Sequence, residues 1–155
     1  MMSGSLTVSS LIDLLKSKGL RICFAESLTG GMISSGIVDI PGASDVFDGS
    51  VVCYTNDVKI NVLNVGTDII AEYTEVSSPC AKAMASGVRK LMGSDISIAV
   101  TGYADGRSGG TVYIGYDTDL GNDSYLLKLS GDRNDVRKKT CEEAYSLIRK
   151  LVMSL

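Results

Sequence analysis

An apolar run from Arg21 to Ala25 breaks off at Glu26-Ser27-Leu28-Thr29-Gly30-Gly31, and a new period of Met32, Ile33, Gly36 and Ile37 starts directly behind it at helical spacing. That change of period across one polar stretch predicts a buried strand handing over to a helix at the strand's C-terminal edge. Backbone N–H groups without intrahelical partners gather at such a junction, together with the positive end of the helix dipole. A phosphate, an oxyanion or an activated hydroxyl suits that place. Ser27 and Thr29 supply hydroxyls there, and Gly30 and Gly31 allow close approach to the backbone. The same residues also suit a plain N-cap with glycines easing helix-on-strand packing, and on this stretch alone both readings stand.

The rest of the chain reads as alternating helix and strand. Val8, Leu11, Ile12 and Leu15 predict a first helix, closed by Lys18-Gly19; the junction helix runs from Leu28 to Val38 and stops before Pro41. Val46 to Tyr54 favours a strand, with a bulge or late start at Asp48-Gly49-Ser50, and Thr55 or Asn56 caps a short helix carrying Val58, Lys59, Val62 and Leu63. Residues 66–75 read as a loop with at most a brief helical piece at Ile69 and Ile70. Ser77-Ser78-Pro79 opens a helix that Gly93 ends, and Ile96 to Val100 is a fully buried strand closed by Thr101-Gly102. Strands Thr111–Tyr116 and Ser124–Leu129 form a hairpin about a turn at Asp117 to Asn122, and Gly131-Asp132 introduces the last helix, with Arg133 and Arg137 in its first turns. This order predicts one three-layer α/β/α domain over residues 1–155, with a mixed β-sheet and helices on both faces.

Composition narrows the chemistry. A net charge of -3 with 45% apolar residues argues against nucleic acid and polybasic membrane partners. No stretch approaches the ~20 apolar residues of a membrane span, and the N-terminus lacks the basic region of a signal peptide, so the expected location is cytoplasmic. Cys23, Cys53, Cys80 and Cys141 are scattered through apolar contexts and read as reduced core residues. The chain has no histidine. A Ser-His-Asp triad or a His-rich zinc site is therefore impossible within one chain.

The polar residues at element junctions are Glu26, Ser27, Thr29, Ser44, Tyr54, Lys59, Thr101, Arg133 and Arg137. A serine nucleophile with a lysine base is the natural histidine-free route to amide hydrolysis. Such a lysine must be largely neutral near pH 7, a fall of roughly 3 units from about 10.4 that burial and nearby positive charge have to supply. Lys59, behind an apolar strand and near Tyr54, suits burial better than Lys138-Lys139 or Lys16-Ser17-Lys18. Arg133 and Arg137 beside a helix start suit either an anion site or a solvated surface.

Several segments, taken in order, resemble the CinA C-terminal domain family, whose members include the bacterial nicotinamide mononucleotide amidases. They are Ala25-Glu26-Ser27-Leu28-Thr29-Gly30-Gly31, Pro41-Gly42-Ala43-Ser44, Tyr54 through Lys59, Ala83 through Gly87, Ala99-Val100-Thr101-Gly102, Gly110-Thr111-Val112 and Gly131-Asp132-Arg133 with Val136-Arg137. The resemblance implies hydrolysis of the carboxamide of nicotinamide mononucleotide, to nicotinic acid mononucleotide and ammonia, with no metal or cofactor. It implies Lys59 as general base, Tyr54 as an orienting or relaying hydroxyl, and Ser27 as nucleophile, with Ser44 its close rival. Glu26, Thr29, Gly30, Gly31, Thr101 and Gly102 would line the nucleotide site, and Arg133 and Arg137 would face the 5′-phosphate. It further implies a homo-oligomer.

The chain also departs from the family pattern. Leu28 stands where a cysteine is usual, and the T-G-I-A-G-P segment becomes Thr101-Gly102-Tyr103-Ala104-Asp105-Gly106, with a shorter loop and no proline. If that loop shapes the nucleotide pocket, Tyr103 and Arg107 are expected to select a different ligand or the pocket to be incomplete, and a catalytically silent nucleotide-binding or regulatory module is the alternative function.

Overall fold

A computed structural model describes residues 7–155; most of the stretch read for a leader, residues 1–6, lies outside the described residues. Three parallel strands, β1 (Ile22–Glu26), β2 (Phe47–Val52) and β3 (Ile96–Gly102), are joined by an antiparallel hairpin, β4 (Thr111–Thr118) and β5 (Gly121–Lys128). Their order across the sheet is β2-β1-β3-β4-β5, the mixed sheet expected from the element pattern.

Successive side chains on a strand point to opposite faces, and here each face meets a different set of helices. Ile22, Phe24, Ile98 and Val100 pack against α1 (Val8–Lys18), α2 (Met32–Val38) and α6 (Arg133–Ser154) through Leu11, Leu15, Ile33, Ile37, Val136 and Ile148. Cys23, Ala25 and Ala99 face α3 (Asn56–Leu63) and α5 (Ser78–Met92), meeting Leu63, Cys80, Met84 and Val88. Helices thus cover both faces, as the sequence predicted. No helix among the described residues is long and apolar enough to cross a membrane.

The departures are local. The junction helix begins at Met32 rather than Leu28, because Gly30 and Gly31 take positive φ values of 59° and 102° and turn the chain once more before the helix can start. Residues 67–73 form a complete short helix, α4 (Thr67–Tyr73), where a loop was expected. The hairpin turn is tighter than Asp117 to Asn122, since Thr118 already pairs with Gly121. The bulge expected near Asp48 is present: Ile22 opposes Phe47, yet Cys23 opposes Gly49.

All four cysteines are buried and unpaired. Burial pushes the Cys23, Cys53 and Cys80 thiols up to about 11 and Cys141 up to about 12. Thiolate is the reactive form, so a disulfide reagent at pH 8 is expected to label the native chain only as fast as it opens, and all four thiols at once in denaturant. Rapid labelling of any one of them without denaturant would contradict this packing.

Candidate active site

Because β1, β2 and β3 are parallel, their C-terminal ends share one edge of the sheet, where Glu26 pairs with both Val52 and Val100. Ser27 leaves β1 at that edge, with its N–H donated to Val100 O at 3.2 Å. Cys53 leaves β2 beside it, donating its own N–H to Glu26 O at 2.8 Å. Two residues on, the Thr55 hydroxyl caps α3 by accepting from Val58 N. This cap turns the first residues of α3 back over the sheet edge and carries Lys59 into the interior.

Lys59 is 1% exposed, an uncommon environment for its side chain. Its Nζ lies 2.7 Å from Cys53 O, 3.4 Å from Tyr54 O and 3.2 Å from Ser27 Oγ. The two carbonyls can only accept, so they claim two N–H bonds of the amine and direct its remaining position at the Ser27 hydroxyl. In the neutral amine that position is a lone pair. The arrangement therefore fits a base set against a hydroxyl at hydrogen-bond distance, the geometry a nucleophile–base pair requires.

Ser27 and Lys59 sit in a cleft of about 230 Å³ whose wall also includes Tyr54, Glu75, Thr101, Gly102, Tyr103, Asp105 and Arg133. Thr101, 1% exposed, donates its hydroxyl proton to Glu75 O at 2.7 Å and so presents only lone pairs to the cleft. Arg133 closes one side. Its Nε and Nη2 donate to the two carboxylate oxygens of Asp105 at 2.7 and 3.2 Å. Asp105 first, then the Tyr54 phenol, hold the guanidinium above its ordinary value. A larger cleft of about 460 Å³, between α6 and the β4–β5 hairpin, contains none of the expected site residues.

The structure thus brings Ser27, Tyr54, Lys59, Thr101, Gly102 and Arg133 together, and it does not bring the others. Ser44 lies in an exposed turn just before β2, whose first residue pairs with the start of β1. In parallel strands that is the opposite edge of the sheet, roughly 16 Å away at about 3.3 Å per residue. Tyr54 is 62% exposed and does not bridge Ser27 and Lys59, which meet directly.

Glu26 is fully buried, and its carboxylate accepts from Ile33 N, Ser34 N and the Ser34 hydroxyl. It fills the start of α2 that the sequence offered to a ligand anion. Arg137 donates to Leu28 O, Thr29 O and Asn134 Oδ1, stapling α6 to the junction turn instead of facing a phosphate. Thr29 is fully buried with its hydroxyl unpartnered among the described residues, and Gly30 and Gly31 serve the turn; none of the three lines the cleft. Of the two loop residues expected to select a ligand, Tyr103 lines the cleft and Arg107 does not. Glu75 and Asp105 were not singled out from the sequence. Glu75 ends a segment without periodicity, and Asp105 finds its partner, Arg133, 28 residues further along the chain.

The sequence model of the CinA C-terminal domain matches residues 6–152. A CinA-like protein of Dictyoglomus turgidum is 46% identical over 153 residues, covering 94% of this chain and 37% of its own length. A putative competence-damage inducible protein of Bacillus subtilis is 41% identical over 150 residues, covering 94% of this chain and 36% of its own. The chain thus spans a little over a third of these curated relatives. Among solved structures, a CinA superfamily protein of Klebsiella pneumoniae superposes with a TM-score of 0.92 at 25% identity, over 99% of this chain and 100% of its own. A competence damage-inducible protein A from the same species gives 0.87 at 30% identity, over 94% and 97%.

Proposed function

The chain belongs to the CinA C-terminal domain family, and from that premise we propose that its cleft hydrolyses the carboxamide of nicotinamide mononucleotide or a closely related pyridine nucleoside amide. The observation that carries the reading is the buried Lys59 amine 3.2 Å from Ser27 Oγ, held there by two carbonyls that leave it one free direction. Ser27 Oγ attacks the carboxamide carbon as its proton passes to Lys59 Nζ. The amine then delivers that proton to the departing nitrogen, releasing ammonia and leaving an ester on Ser27. Water, deprotonated by the same amine, hydrolyses the ester to the carboxylate and restores the serine.

The remaining wall fits this role. Thr101 offers an acceptor to the carboxamide N–H₂ because its own proton is already committed to Glu75 O. A cleft of about 230 Å³ is below the roughly 300–1,000 Å³ that encloses a whole drug-sized ligand. It takes the pyridine carboxamide inside and leaves the ribose at the mouth.

Incubation with nicotinamide mononucleotide is expected to release ammonia in step with loss of the carboxamide. The second reading, a catalytically silent nucleotide-binding module, is favoured by the Asp105 carboxylate already seated on Arg133. It predicts calorimetric binding of the same nucleotide with no ammonia formed.

A further inference from the structure

We propose that Asp105 sets the cleft's choice of end group: seated in the fork of Arg133, it turns the site away from substrates that end in a phosphate and towards the same carboxamides without one. This inference rests on the carboxamide reading of the cleft. Its basis is the supply of anion seats at the sheet edge. The start of α2 is occupied by the Glu26 carboxylate. The start of α6 is closed by a reciprocal cap, Asp132 accepting from Asp135 N and Asp135 accepting from Asp132 N. Lys59 spends its amine on two carbonyls and Ser27. Arg137 spends its guanidinium on Leu28 O, Thr29 O and Asn134. Arg133 remains as the cation of the cleft wall through which a terminal phosphate would be held, and a planar guanidinium holds phosphate by the same paired donors it uses for carboxylate.

Asp105 occupies that pair of donors, with Nε to Oδ2 at 2.7 Å and Nη2 to Oδ1 at 3.2 Å. The loop that carries it is fixed from both ends: Tyr103 N donates to Thr111 O, and Gly110 N donates to Tyr103 O. Gly109 packs so closely beneath it that a Cβ there would come within 2.9 Å of the Asp105 backbone. The backbone under Asp105 is thus fixed, and its half-exposed carboxylate is held by Arg133. A phosphate arriving at Arg133 must either displace Asp105 from the Nε–Nη2 edge or take the Nη1 edge next to it, with two like charges on one guanidinium. A hydroxymethyl group in place of the phosphate meets neither obstacle, and the pyridinium charge of such a substrate is compatible with a wall carrying Glu75 and Asp105.

The test compares nicotinamide mononucleotide with nicotinamide riboside, which shares the carboxamide and lacks the phosphate, in the parent chain and in Asp105→Asn and Asp105→Gly. Expected is a rise of about ten-fold in the ratio of kcat/KM for mononucleotide over riboside in both variants, the scale of one exposed bidentate pair together with the like-charge repulsion it imposes. A ratio within about two-fold of the parent's in both variants overturns the assignment. Calorimetric affinities for the two compounds, measured in the Ser27→Ala background, give the same ratio without turnover. A shifted affinity ratio with no ammonia from any chain upholds the role of Asp105 and removes the amidase reading; ammonia with an unshifted ratio does the reverse. Binding of neither compound removes both.

Discussion

Replacing Lys59 with methionine is expected to lower ammonia release by about 10³-fold, within the roughly 10²–10⁴ that a positioned general base contributes. Methionine keeps nearly the volume of the lysine stem and removes the amine, so the packing of α3 against the sheet is retained. What is lost is the partner of Cys53 O and Tyr54 O, two carbonyls that the amine joins in the parent chain. One unpaired buried acceptor costs about 1–3 kcal/mol, against a typical stability of about 5–15 kcal/mol. The variant should therefore melt earlier yet remain folded at 25 °C, and a circular dichroism melt separates lost chemistry from lost structure. Ser27→Ala is expected to fall as far, and the double variant no further than either single, because a nucleophile and its base act as one unit. Ser44→Ala is expected to keep the parent rate, since its turn lies at the far edge of the sheet. Multiplicative losses in the double variant, or a collapse in Ser44→Ala, would each assign the chemistry elsewhere.

Ser27 and Ser44 show what the sequence could and could not say. Ser27 closes an apolar run and Ser44 follows a tight turn, yet both stand at element junctions, so spacing does not separate them. Their separation depends on β1 and β2 running parallel, which puts the residue after one strand and the residue before the next at opposite edges. The order of elements was readable because the strands carry continuous apolar runs and the helices carry caps with local causes, such as Thr55 for α3 and Ser77 for α5. The burial of Lys59 was readable from the apolar strand before it; in α3 it shares its buried face with Leu63 one turn on, while Val62 is exposed.

The polar groups were harder to assign, because their partners are distant in the chain. Arg137 reaches back 109 residues to the Leu28 carbonyl, and nothing near it in sequence announces that contact. Glu26 looked available to a ligand, but β1 has all five residues buried, so its carboxylate had to find donors inside the protein and found them at the start of α2. The sequence shows α4 only as a brief helical piece, because Ile69 and Ile70 are adjacent, which gives no helical period, and because Gly66 offers no side-chain cap.

Gly87→Ala is expected to lower the melting temperature by about 10 °C, although alanine is the better helix former. Propensity alone would favour the substitution by about 1 kcal/mol inside α5. Gly87, however, lies against the last turn of α3: a Cβ there would overlap the Leu63 carbonyl oxygen and come 3.0 Å from its carbon and 3.2 Å from its Cα. These are backbone atoms, so relief requires α3 to move away from α5, and overpacking of this kind costs about 1–3 kcal/mol or more. At the upper end of that range, with about 2–4 °C per kcal/mol for a chain of this size, the melt shifts by about 10 °C. Gly121→Ala, where nothing lies within 4 Å of the added carbon, is the matched control and should stay near the parent. The displacement also reaches the site. Lys59 O accepts from Val65 N, so the C-terminal end of α3 and the turn bearing Lys59 move as one body. A shift of about 1 Å at a reacting pair costs on the order of 10²-fold, so Gly87→Ala should lose ammonia release well below its melting temperature. A chain that melts early yet turns over at the parent rate would mean that α3 yields at Leu63 without carrying Lys59, and that the amine is positioned by its two carbonyls alone.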